Sequence, residues 1–178
     1  MTDHDFSRNS VLLVTDDLEL TDEIRNILTF AGVGLIRAAA NLSHALREMA
    51  RMDPDLIITD RHMVPVNGIE FTRIIRQEEH TTDAAVPIIL VSSAPSLKIV
   101  FDARDAGVNE ILVKPISANA LLAHIALTFA LPRPFVKAPN FVGPDRRRRQ
   151  RPIPFADRRL LAMQDDPSAG GAQAWRMA

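Results

Sequence analysis

The chain of 178 residues contains no cysteine. That excludes disulfides, thiol nucleophiles and cysteine-ligated zinc, and it suits a reducing compartment. No apolar run approaches the ~18–20 residues that a bilayer-spanning helix needs, so no membrane segment is expected. The opening MTDHDFSRNS is polar and acidic. It has neither a basic n-region nor an apolar h-region, so a cytoplasmic location is expected rather than secretion. Histidine is sparse and scattered: His4, His44, His80 and His124 show no ligand spacing, and His62 reads as an exposed loop residue.

With 47% hydrophobic residues, the chain can still build one ordinary core. Its net charge of -1 is a balance of two unlike parts. Residues 1–131 carry 11 Lys and Arg against 18 Asp and Glu, a charge of -7. Residues 132–178 carry 10 against 4, a charge of +6, and hold seven of the 12 prolines. Composition therefore divides the chain into a short lead (1–9), an acidic domain (10–131) and a basic, proline-rich tail (132–178).

Hydrophobic spacing predicts strands alternating with helices in the acidic part. Ser10 to Val14 is a short apolar run of strand type, and Asp16 and Asp17 follow it at once. Leu20, Ile24, Ile27 and Leu28 recur at helical spacing until Gly32. Gly34 to Ala38 is a second candidate strand, and Asn41 or Ser43 can cap a helix that Pro54 ends. Leu56 to Thr59 is a third strand ending at Asp60, and Ile69 to Gln77 is helical. PIILVS is a fourth strand ending at Ser92, and Ser96 to Ala106 is a helix stopped by Gly107. Ile111 to Val113 is a fifth strand ending at Lys114-Pro115, and Ser117 caps a last helix to about Ala130. The strands are uniformly apolar, as they must be when helices cover both faces of a parallel sheet. The expected class is α/β, a doubly wound five-stranded parallel sheet of flavodoxin-like (βα)5 type.

In such a fold ligands sit at the carboxyl ends of the strands. Asp16, Asp17, Asp60, Ser92 and Lys114 all fall there, so three carboxylates, a hydroxyl and an ammonium should converge. Three carboxylates without cysteine or clustered histidine make a hard oxygen site, suited to Mg2+ or Mn2+. A carboxylate beside such an ion can attack a phosphoryl group. Asp60, alone at the end of the central strand, is the expected nucleophile. Asp16 and Asp17 are suited to the metal, while Lys114 and Ser92 can meet phosphoryl oxygens.

The ordered motifs VTDD, LIITD, PIILVSS and ILVKP, with Gly68 in the loop between the second and third, carry a specific resemblance. From about Ser10 to Leu131 the chain resembles the receiver domain of two-component response regulators, the CheY-like domain. The resemblance implies that Asp60 accepts a phosphoryl group from a histidine kinase or phosphotransfer protein. It implies a Mg2+ ion held by Asp16, Asp17, Asp60 and the backbone carbonyl of His62. It implies that Ser92 and Lys114 read the phosphoryl group, that a cis peptide precedes Pro115, and that the fourth helix, fifth strand and fifth helix form the face for a downstream protein. The chain would then turn over no small substrate beyond gaining and losing its own phosphoryl group. Three features depart from the family pattern, the first being Ser92-Ser93 where a hydroxyl residue followed by alanine is commoner, so that Ser92 is taken by register. Met63 is followed by Val64 before Pro65, where the family often has Met-Pro. Ile111 stands where the family usually has an aromatic switch residue. The rival readings are an aspartyl-nucleophile phosphatase of similar fold, which usually has an aspartate where His62 stands, and a scaffold that works without phosphorylation.

The tail shows neither a heptad nor a strand pattern, and its prolines break long helices. The expectation is a largely irregular extension that is disordered or docks an acidic protein surface, the receiver's own included. A weak repeat, Phe141-Val142-Gly143-Pro144-Asp145-Arg146-Arg147 echoed by Phe155-Ala156-Asp157-Arg158-Arg159, suggests two aromatic anchors with basic flanks. Arg146 to Arg149 and Arg151 could neutralise nucleic-acid phosphates, but no fold to read bases accompanies them, so nucleic acid is not expected. Arg147 and Arg151, with Asp166, Ser168 and Gly171, resemble the cyclic di-GMP pattern of PilZ domains, but no strands follow to build that barrel.

Overall fold

A computed structural model describes residues 5–77, 84–138 and 141–146. The elements are β1 (Ser10–Val14), α1 (Leu18–Phe30), β2 (Leu35–Ala39), α2 (Leu42–Met52), β3 (Leu56–Asp60), α3 (Gly68–Gln77), β4 (Ile88–Ser92), α4 (Leu97–Ala106), β5 (Glu110–Val113), α5 (Ala118–Ala130), β6 (Phe135–Ala138) and β7 (Phe141–Pro144). The first five strands form one parallel sheet in the order β2-β1-β3-β4-β5. Strand order reverses between β1 and β3, so the carboxyl ends of these two strands flank the crevice where such sheets place ligands.

The period-2 geometry of strands divides the apolar runs between the two faces. Val11, Leu13, Ile58, Ile89 and Val91 pack with Ile24, Leu28, Leu121 and Ile125 of α1 and α5. Leu12, Val14, Ile57 and Ile88 pack with Met49, Phe71 and Ile75 of α2 and α3. Every residue of β3 and β4 is buried, whereas β2 and β5 lie at the edges and are partly open. A smaller third cluster holds α4, through Ala103 and Ala106, against Leu90 and Val108.

Helix starts follow capping chemistry. Asp17, Asn41, Ser96 and Ser117 each accept a backbone N–H from the first turn of α1, α2, α4 and α5. Asn41 rather than Ser43 is thus the cap of α2. Gly107 ends α4 with φ +96°, a conformation that L side chains rarely adopt.

The chain after residue 131 corrects the reading that it holds no strand pattern. β6 and β7 pair as an antiparallel hairpin, with Phe135 opposite Pro144 and Ala138 opposite Phe141. The folded unit extends to Arg146. Four-residue strands are too short to show alternation, and Pro134 and Pro144 bracket the hairpin rather than interrupt its pairing. The arginines from Arg147 onward, the Phe155 motif and the cyclic di-GMP-like pattern lie outside the described residues, as do His4 and His80. Among the described residues no helix is long and apolar enough to cross a membrane.

One buried cation escaped the sequence reading. Arg76, 3% exposed, donates to the carbonyls of Gly107, Ala84 and Val86 and to Asn109 Oδ1, at 2.7–3.1 Å. Its signal was available, because Phe71, Thr72, Ile75 and Arg76 occupy one helical face.

Candidate functional site

Asp60 ends β3 with only 2% of its surface exposed. A carboxylate so placed needs partners, and it has two. Lys114 Nζ donates to Oδ2 at 2.9 Å, and the His62 backbone N–H donates to Oδ1 at 3.1 Å. The strand ladder explains the first contact. Ser92 pairs with Val113, and the Lys114 N–H donates to the Ser92 carbonyl at 2.9 Å, so the lysine leaves the sheet beside β4. The peptide bond from Lys114 to Pro115 is cis, as the resemblance implied.

Asp17 has two tasks. Its Oδ1 caps α1 by accepting the Leu20 N–H at 3.1 Å, and its Oδ2 lies 4.0 Å from Lys114 Nζ. Thr15, which the sequence reading passed over, accepts the Asp17 N–H at 3.1 Å and orients the acidic pair. Asp16 turns the other way across the crevice, its Oδ2 accepting the Val64 N–H at 3.2 Å. That bond ties β1 to the loop after β3, where the shifted proline sits and where Val64-Pro65 is a second cis bond. Gly68, which starts α3, admits no side chain, since a Cβ there would lie 2.3 Å from the Asp60 carbonyl oxygen.

Ser92 is fully buried at the end of β4, and its hydroxyl has no hydrogen-bond partner among the described residues. A buried hydroxyl without a partner is costly. It is accounted for if another acceptor enters the site. Lys114 thus reaches both Asp60 and Asp17, and Ser92 and the loop carrying His62 and Val64 lie at the same edge of the sheet. The His62 side chain plays no part in the cluster. It is exposed and its Nε2 lies 2.9 Å from Arg61 Nη2.

The donors suit a small hard cation, being three carboxylates and a backbone carbonyl. Among the described residues, however, no three acidic or histidine side chains are placed to hold a metal ion, so the expected set of Asp16, Asp17 and Asp60 is not assembled as ligands here. Asp16 is held by the Val64 amide and Asp60 by Lys114.

Comparison with known proteins gives a consistent picture. The model of the response regulator receiver domain matches residues 11–126. The chemotaxis protein CheY of Bacillus subtilis is 30% identical over 118 residues, 66% of this chain and 95% of that protein. The KDP operon transcriptional regulatory protein KdpE of Escherichia coli is 32% identical over 134 residues, 72% of this chain but 57% of the relative's length. Among solved structures, CheY4 of Vibrio cholerae superposes with a TM-score of 0.61 at 25% identity, covering 66% of this chain and 96% of that one. The receiver domain of the sensor histidine kinase PA1611 of Pseudomonas aeruginosa, solved with magnesium coordinated in its active-site cleft, gives 0.57 at 28% identity, covering 67% and 94%.

Proposed function

The chain belongs to the response regulator receiver domain family, and on that premise we propose that it is a Mg2+-dependent phosphoacceptor in which Asp60 takes a phosphoryl group from a histidine kinase or phosphotransfer protein. The supporting observation is the pairing of the Asp60 carboxylate with the Lys114 ammonium at the carboxyl ends of the strands, with Ser92 at the end of the neighbouring strand. An Asp60 carboxylate oxygen attacks phosphorus. The new O–P bond forms as the donor's N–P bond breaks; the electron pair of that bond stays on the donor's imidazole nitrogen, which takes up a proton from solvent. Lys114 balances charge on the phosphoryl oxygens, and Ser92 donates its free hydroxyl to one of them. The His62 N–H holds the other Asp60 oxygen in place. Asp16, Asp17, Asp60 and the His62 carbonyl would hold Mg2+, which supplies positive charge to the incoming phosphoryl oxygens.

The signal then passes to a downstream protein on the α4–β5–α5 face, where Phe101, Val113 and Leu127 are each about half exposed, at 51%, 48% and 48%. With Ile111 in place of an aromatic, the readout rests on the position of α4 rather than on rotation of a ring. The tail's expected docking on an acidic surface has its support in Arg146, which lies 3.4 Å from Asp105 of α4. The test is labelling by acetyl phosphate or a kinase with and without Mg2+. Labelling of the wild type only, and only with Mg2+, is expected; equal labelling of Asp60→Ala would refute the assignment.

A further inference from the structure

We infer that the β6–β7 hairpin is a latch on α4, and that phosphorylation of Asp60 loosens it. The inference rests on the phosphoacceptor reading and adds a route from Asp60 to the hairpin.

The helix α4 is held unevenly. Its buried residues are Ala103 and Ala106, both in the last turn or two, while towards its start Ile99 packs only partly buried against the third cluster, Leu97 is 76% exposed and Phe101 51%. Its start is joined through residues 93–96 to Ser92, the residue whose hydroxyl awaits an acceptor. The end of α4, by contrast, is clamped by the hairpin. Gly107 and Gly143 face each other so closely that a Cβ on Gly143 would lie 2.8 Å from the Gly107 Cα, and a Cβ on Gly107 would lie 3.0 Å from the Val142 carbonyl oxygen. Arg133 donates to the Asn109 carbonyl in the loop after α4 and, at 3.2 Å, to the Asp145 carbonyl at the hairpin's exit. Arg146 lies over the Phe141 ring at 3.8 Å and pairs with Asp105 in the last turn of α4. Arg76 lies 5.6 Å from the Phe135 ring and also holds the Gly107 carbonyl.

These contacts define a lever. A phosphoryl group on Asp60 attracts the Ser92 hydroxyl and, through residues 93–96, the loosely held start of α4. The helix can respond only by tilting about its last turn. The glycine contact there has no slack, since side chains are absent at both positions and the backbones already touch. Tilting therefore opens the Gly107–Gly143 contact and separates Asp105 from Arg146. By linkage, a chain whose latch is already weakened must favour the phosphoryl-bound state by the same factor.

The test uses the full chain treated with acetyl phosphate and Mg2+, with intact mass reporting phosphorylation and hydrogen exchange reporting the amides of 133–138 and 141–146. Exchange in the hairpin should be faster by about 5-fold or more in the phosphorylated chain, the usual lower range of coupling between sites, and unchanged in Asp60→Ala. Gly143→Ala should bind beryllium fluoride with Mg2+ more tightly by a similar factor in calorimetry. Should that variant fail to fold, Arg146→Ala, which removes only a surface pair and a ring contact, should show a smaller shift of the same sign. A phosphorylated chain with unchanged hairpin exchange overturns the latch and leaves the phosphoacceptor reading standing. A wild type that gains no phosphoryl mass overturns both.

Discussion

Replacing Ser92 by alanine should separate two roles that most active-site changes confuse. The hydroxyl is fully buried and has no partner among the described residues, and a group in that condition costs about 1–3 kcal/mol. Its removal should therefore cost the resting protein nothing. In a protein of this size 1 kcal/mol moves the thermal midpoint by about 2–4 °C, so the Ser92→Ala midpoint should equal that of the wild type or exceed it by a few degrees. With the phosphoryl group or its analogue present, the same change deletes a hydrogen bond to a charged acceptor, typically about 1.5–3 kcal/mol. That corresponds to a loss of about 10- to 100-fold in beryllium fluoride affinity with Mg2+. Melting curves by circular dichroism and calorimetric titration of the two proteins read the two effects separately. A midpoint lowered by more than about 4 °C without ligand, equivalent to roughly 1 kcal/mol, would mean that the hydroxyl is already bonded, and the argument for its role as a phosphoryl sensor would fail.

Two further substitutions test the surrounding structure. Asp17 both caps α1 and faces the proposed metal position, so Asp17→Ala should lose about 1 kcal/mol of stability without metal, whereas Asp17→Asn should keep the cap and lose mainly Mg2+ affinity; urea titrations with and without Mg2+ distinguish them, and equal stability of the two variants would contradict the capping role. Arg76→Met should destabilise by about 1–3 kcal/mol, because the carbonyls of Gly107, Ala84 and Val86 lose a buried donor, and Arg76→Lys should recover only part of it since one ammonium cannot span the same fork; a change below about 0.5 kcal/mol in urea denaturation would show the network to be of little weight.

The five-stranded sheet and its ligand-bearing edge were legible in the residues because their causes are local. Apolar runs such as LIIT and PIILVS have the length and composition of covered strands, Gly32 and Gly107 stop helices, and Asp17, Ser96 and Ser117 cap them. Once the strands are parallel, the chain's own order carries Asp60, Ser92 and Lys114 to one edge. What folding alone revealed depends on partners distant along the chain. The choice of Asn41 over Ser43 as a cap, the bond from Val64 to Asp16, the isolation of the Ser92 hydroxyl and the burial of Arg76 each turn on which backbone groups are left without partners when the layers meet. The hairpin is the clearest case. Four residues per strand carry too little pattern to announce a strand. Their pairing is stable because two glycines more than 30 positions apart let the backbones touch, and that proximity exists only after α4 has packed onto the sheet.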